Sequence, residues 1–221
     1  MVNKNNMIKT IKTSVLALLM VSTAIAVHAQ KTVTEGTMTF DVVANGATTV
    51  VKNKFNGDLT KIEMETGPVL INMISNTETK AGLLLVDVPV AQKQFAVKIS
   101  KEDTEKQEAA IPKYSDFKAT GEKQVIGTLN AEKYSYKDDK GASHDLWATK
   151  DIIIPALKGK GYFKGLDAVP VKYTATINGV ESNMTLKSFS TDKVGAISLD
   201  VPSGYELTTM EELKAMQGGG R

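Results

Sequence analysis

The chain has 221 residues, 42% of them hydrophobic, with 27 basic residues against 25 acidic ones and no cysteine. The lack of cysteine excludes disulfides, and with only two histidines it leaves too few soft ligands for a transition-metal site. Basic residues are interspersed with acidic ones, so the sequence lacks the polycationic face that nucleic-acid binding requires.

Lys4, Lys9 and Lys12 precede the apolar run from Val15 to Val21 and a small-residue stretch ending in Val27-His28-Ala29. This is the pattern of a secretory signal peptide over residues 1–29, with cleavage expected before Gln30. The apolar run is shorter than the ~20 residues needed to span a bilayer, so no transmembrane span is expected in the mature chain. Export by this leader implies a periplasmic or secreted protein. Without residues 1–29, 24 basic residues face 25 acidic ones, a net charge close to −1. Residues 30–217 are expected to form a single β-rich domain, long enough for a real core, and residues 218–221 a flexible tail.

From Val33 to Val43 the pattern alternates, with Met38, Phe40 and Val42 on one side and Thr37, Thr39 and Asp41 on the other. A period of two marks a strand with one buried face. Asn45-Gly46 and Asn56-Gly57 then predict tight turns into strands over 48–55 and 59–65, because these residues accept positive φ. Further strands are expected over 69–75, 82–88 and 94–99. The run Leu83-Leu84-Leu85-Val86 is apolar on both sides, as in a central strand covered on both faces. Residues 101–113 are charged and end at Pro112, which reads as a mobile loop in preference to a short helix. Strands over 120–126, 129–136 and 143–149 follow, and Pro155 suits the first turn of a helix. Alternation resumes from Val171, turns at Asn178-Gly179, and returns over 180–186, with a last strand over 194–201. Thr208 to Met216 carries a capping threonine and early glutamates, the signature of a terminal helix. About ten strands with one or two short helices predict a mainly β protein: a curved antiparallel sheet or half-open barrel that hides its edges by bending.

No catalytic constellation stands out. Ser143-His144-Asp145 holds triad residue types, but neighbours on a strand point to opposite faces, so the reading is a surface histidine beside a turn. Asp138, Asp139, Asp145 and Asp151 lack the spacing of a calcium loop, and the glycines from Gly159 to Gly165 match no phosphate loop. The expectation is no enzyme, no metal and no cofactor. Trp147, the only tryptophan, is placed on the side of Ser143, Asp145 and Thr149, opposite Leu146, where it either packs under a loop or covers a pocket.

The stretch T-G-E-K-Q-V-I-G-T-L-N-A-E-K-Y from Thr120, with D-L-W-A-T-K-D-I from Asp145, resembles the bacterial domain-of-unknown-function 4412 family. N-G-D-L-T-K-I-E-M-E at Asn56 to Glu65 and V-P-S-G-Y at Val201 to Tyr205 are similar to its early and closing strands. The resemblance implies an exported Gram-negative protein with a LolA-like fold, similar to the periplasmic lipoprotein carriers LolA and LolB, in which a concave sheet face holds acyl chains. It carries over no catalytic residue.

Two functions are expected from these readings. The first is a periplasmic carrier that binds a lipid or acyl chain against Phe40, Met64, Leu84, Phe95, Trp147, Tyr173 and Met184. Methionine suits such a surface because its thioether adapts to irregular shapes. The second is an envelope interaction or structural protein with a fully packed core, which meets a protein partner through loops, above all residues 101–113.

Overall fold

A computed structural model describes residues 30–177 and 179–218. The expected signal peptide, Asn178 of the expected Asn178-Gly179 turn and residues 219–221 lie outside that range. In chain order the strands are β1 (Lys31–Thr32), β2 (Glu35–Ala44), β3 (Ala47–Asn56), β4 (Leu59–Thr66), β5 (Val69–Asn76), β6 (Gly82–Val88) and β7 (Lys93–Ile99). Helix α1 (Lys101–Ala110) precedes β8 (Ser115–Ile126), β9 (Leu129–Lys137), β10 (Ser143–Thr149), β11 (Ile152–Ile153), β12 (Val169–Ile177), β13 (Val180–Ser190), β14 (Glu206–Leu207) and helix α2 (Met210–Gly218). Strands take 56% of the structure and helices 11%, so the protein is mainly β.

Twelve strands form one curved sheet in the order β14-β7-β6-β5-β4-β3-β2-β13-β12-β10-β9-β8, which does not close into a barrel. Every pair in it is antiparallel except the short parallel contact of β14 with β7. Outside the sheet, β1 runs parallel to β11. Local chemistry sets the hairpins: Asn45 and Gly46 have φ of 50° and 76°, the left-handed pair that matches strand twist. The long edge strand β8 is interrupted by two register shifts, where Asp116 and Gly121 adopt positive φ. Together with Lys118, Glu122 and Lys123, these irregularities discourage another chain from extending the sheet there.

Residues 101–113, expected as a loop, contain a ten-residue helix. Ser100 and Asp103 form a capping box: the Ser100 hydroxyl accepts from Asp103 N, and the Asp103 carboxylate accepts from Ser100 N. Lys80 anchors the helix through Glu105 and Glu108 at 3.4 and 2.9 Å. A helix held by its cap and ion pairs does not need the apolar stripe that residues 101–113 lack. Pro155, in contrast, starts only a set of turns, because Gly159 and Gly161 take left-handed φ and end the helical path.

Residues 194–201, expected as a strand, join no ladder. Ile197, Leu199 and Val201 instead pack onto Ile74, Leu83, Leu85 and Ala96 as an extended strap. Their alternation records one-sided burial without strand pairing. Side chains satisfy part of the strap's backbone: Val194 N donates to Glu35 Oε1 at 2.9 Å and Asn56 Nδ2 donates to the Gly195 carbonyl at 3.2 Å.

Candidate functional site

Register places two lines of side chains across one face of the sheet. The first runs Phe40, Val51, Met64, Ile71, Val86, Phe95, and the second Met38, Asn53, Ile62, Met73, Leu84, Val97. We call this the Phe40 face. Eleven of these twelve residues are apolar, because the alternate positions of the six successive strands β2 to β7 are hydrophobic except at Asn53.

The face is covered at both ends. At one end Met38, Phe40, Val42 and Phe55 pack with Ile152, Ile154 and Ala156 from the segment after β10. Lys160, farther along that segment, forms an ion pair with Glu78 in the β5–β6 turn at 3.0 Å. At the other end Leu213 of α2 is buried against Val86, Phe95 and Val97, with Met210 beside it. Helix α2 has its own capping box: Thr209 Oγ1 accepts from Glu212 N, and Glu212 accepts from Thr209 N. Those contacts hold the Glu212 carboxyl below its usual range.

Between these ends lie Ile62, Met64, Ile71 and Met73. Ile62 faces Met73 and Met64 faces Ile71 across the β4–β5 ladder. All four are only partly buried. Among the described residues, none of them belongs to the packed clusters at either end. They form an open apolar strip about two strands wide. Its border on β3 is Asn53, paired with Met38 on one side and Ile62 on the other. Asn53 Oδ1 is shielded from solvent and meets no hydrogen-bond donor of the protein. Leaving such an acceptor unsatisfied costs about 1–3 kcal/mol.

The structure does not bring the seven residues expected to bind a ligand together at one place. Phe40 and Phe95 are buried in the end clusters, where they support the face. Leu84 packs beside the α2 cluster, and Met184 and Tyr173 beside the Phe40 cluster, all three partly exposed. Met64 alone sits in the open strip. Trp147 lies away from the strip, next to a register shift in the β10–β12 pairing, and packs against the Phe40 cluster. Ile62, Ile71, Met73 and Asn53 are not among the seven residues expected to bind. The signal was there for Ile62, which shares a strand face with Met64, but the sequence does not reveal which part of that face is left uncovered.

Two surface hollows lie elsewhere. One of about 470 Å³ lies over β8, β9 and β10 between Lys123, Glu132 and Lys150, and one of about 420 Å³ lies beside Asp87 and Lys93. An aromatic cluster, also unpredicted, extends from the Phe40 end: Phe40 meets Tyr173 at 6.3 Å, Tyr173 meets Phe163 at 5.1 Å, and Phe163 meets Tyr136 and Tyr114 at 5.6 and 5.5 Å. Burial pushes the Tyr173 phenol well above its ordinary value and the Tyr136 phenol up to about 12. Neutral, packed phenols of this kind build a core and make poor acid or base catalysts at neutral pH.

The triad residue types do not converge. His144 Nε2 lies 3.0 Å from Asp138 Oδ2, while Asp145 pairs with Lys133 at 3.1 Å. The bond to His144 holds the Asp138 carboxyl below its usual range. Asp151 accepts from Asn130 N and Nδ2. The four aspartates weighed as calcium ligands thus include three committed to different partners. Among the described residues, no three His, Cys, Asp or Glu side chains gather as metal ligands. No helix among them is long and apolar enough to cross a membrane. Neither a family model nor a curated protein matches the chain.

Proposed function

We propose that this is an exported periplasmic protein that binds or carries an apolar ligand, a lipid or acyl chain, on the Phe40 face of its curved sheet. The observation that carries this reading is the open strip of Ile62, Met64, Ile71 and Met73, left uncovered between two sealed ends. Water against four apolar side chains is unfavourable, and an alkyl chain lying along them would remove that contact at roughly 25 cal/mol per Å². Unbranched, polarizable methionines in half of those positions suit a chain without fixed shape. The resemblance to the domain-of-unknown-function 4412 family and to LolA-like carriers points the same way, as does the leader pattern of residues 1–29. The test is native mass spectrometry and lipid extraction of the full-length protein purified from cells, alongside Met64→Asp. The expected result is a co-purifying lipid with the native protein and none with the variant. Ligand-free protein that also fails to take up fatty acid in vitro would overturn the reading.

A second reading rests on α1. No residue of this helix is buried, and its surface carries Lys101, Glu102, Asp103, Glu105, Lys106 and Glu108. In an envelope interaction protein such a helix would be the contact element for a protein partner. Loss of a cross-linked partner when the exposed charges of α1 are reversed would favour it over the carrier reading.

A further inference from the structure

The fold treats its methionines unequally. Met38 is 1% exposed, packed in the cluster with Ile152, Ile154 and Ala156. Met216, on α2, is 52% exposed. Met64 and Met73 are partly buried on adjacent strands of the open strip, where Ile71 and Ile62 are their ladder partners. Their thioethers are the only groups on the four side chains of the strip that a mild oxidant attacks. The sulfoxide that results is polar and chiral where the thioether was apolar and adaptable. Branched aliphatic side chains, as at Ile62 and Ile71, would give apolar cover without this sensitivity.

Resting on the reading of the strip as an acyl site, we propose that Met64 and Met73 are its oxidation switch: a peroxide oxidises both thioethers in the empty protein, the strip ceases to hold an alkyl chain, and reduction restores it. In the forward step the O–O bond of hydrogen peroxide breaks, one oxygen bonds to sulfur and the other leaves as water, so that sulfur loses two electrons and the peroxide gains them. The reverse step takes two electrons and two protons from a dithiol reductase and releases the sulfoxide oxygen as water. Oxidation makes half of the strip's four side chains polar. Each sulfoxide oxygen accepts hydrogen bonds from water that an alkyl chain cannot replace, so seating a chain there strands a polar group. A chain already in place lies over both sulfurs and shields them. The switch therefore acts on empty protein and spares loaded protein.

The experiment treats the delipidated full-length protein with hydrogen peroxide, with and without added octadecanoic acid, and maps the sulfoxides by peptide mass spectrometry. Calorimetry reads octadecanoic acid binding before peroxide, after it, and after reduction by methionine sulfoxide reductases A and B. Met64 and Met73 are expected to oxidise faster than Met38, and more slowly once the acid is bound. Oxidation should weaken binding about tenfold, and the reductases should restore it. Each variant is compared with itself before and after peroxide: Met64→Leu/Met73→Leu should change by less than about twofold, while Met210→Leu/Met216→Leu should stay as sensitive as the native protein. Strip methionines that oxidise no faster than Met38, sulfoxides at Met64 and Met73 with binding unchanged, or a loss that persists in Met64→Leu/Met73→Leu or resists the reductases would overturn this inference and leave the acyl site intact. Native protein that binds no octadecanoic acid before peroxide would overturn the acyl site and the switch with it.

Discussion

Strands β6 and β4 lie two places apart in one sheet and follow the same alternation, yet their surroundings differ on both sides. On β6, Leu83 and Leu85 are sealed by the strap at 197–205, and Val86 on the opposite side is sealed by α2. On β4, Ile62 and Met64 form part of the open strip, and the reverse side carries Lys61 and Glu63, paired at 2.9 Å, with Glu63 also paired to Lys54 on β3 at 2.8 Å. Both covers over β6 come from the last 25 described residues, which wrap around the β7 edge of the sheet. A strand's pattern therefore specifies which side chains share a face. What lies on that face depends on chain far away in sequence, and here the cover stops one strand short of β4.

The sharpest test of that difference is a pair of core deletions. Leu83→Ala should destabilise the protein by about 2–5 kcal/mol, as expected for a cavity in a site that cannot collapse, while Met64→Ala should cost no more than about 1 kcal/mol. Chemical denaturation of the two variants reads both values. Equal losses would mean that β4 is as tightly packed as β6, and the open strip would not exist in solution.

Removing a cover should convert the sealed region into an open one. Leu213 is the buried residue that seats α2, so Leu213→Asp should release the helix at a cost of about 2 kcal/mol. Hydrogen exchange would then show lost protection over residues 210–218 with the β2–β3 and β5–β6 ladders unchanged. Loss of protection across the whole sheet would show instead that α2 is part of the main folding unit.

The same contrast explains what could be read from the sequence. The hairpins were legible because Asn-Gly turns and a period of two are local signals, and Gly82–Val88 and Ser143–Thr149 were placed to the residue. The double-sided burial of β6 was legible from Leu83-Leu84-Leu85-Val86. Its location close to an edge was not, because apolar character reports cover and carries no information about strand order. The strap at 194–201 imitated a strand for the same reason. Helix α1 was missed because Lys80, Ser100 and Asp103 hold it in place of an apolar stripe. Within the candidate site, Met64 and Ile62 were visible as one face. The open strip and the unpaired Asn53 depend on where α2 and residues 152–156 end, and that is set by long-range packing.

On the polar side of β4, Glu63 offers a smaller test. Burial pushes its carboxyl up, but hydrogen bonds from Lys54 and Lys61 outweigh that effect and leave the pKa lowered. A carboxyl with a lowered folded-state pKa contributes stability that is fully present above its unfolded value and is lost as pH falls through the folded one. Glu63→Gln should therefore cost up to about 1 kcal/mol at neutral pH, and the difference from the native protein should vanish in acid below the ordinary carboxylate range. A difference that persists in acid would assign the loss to packing.

An effect of similar size is expected at the seal itself. Tyr205, at the end of the strap, donates to Asp87 Oδ2 at 2.9 Å, and burial together with that bond pushes its phenol up to about 12. A phenol whose pKa is raised on folding contributes stability below its unfolded value of about 10, and that contribution disappears as pH rises through the folded value. Tyr205→Phe keeps the ring against Leu83 and Leu85 and removes only the hydroxyl, so the expected loss is about 1 kcal/mol near neutrality. Above pH 10 the difference should shrink, because the native protein then begins to lose the contribution that the variant lacks. Denaturation curves across that range, read with phenolate absorbance, separate the two possibilities: a constant difference would place the work of the strap in its apolar contacts, and a shrinking one would show that the Tyr205–Asp87 bond fastens the cover that β6 has and β4 does not.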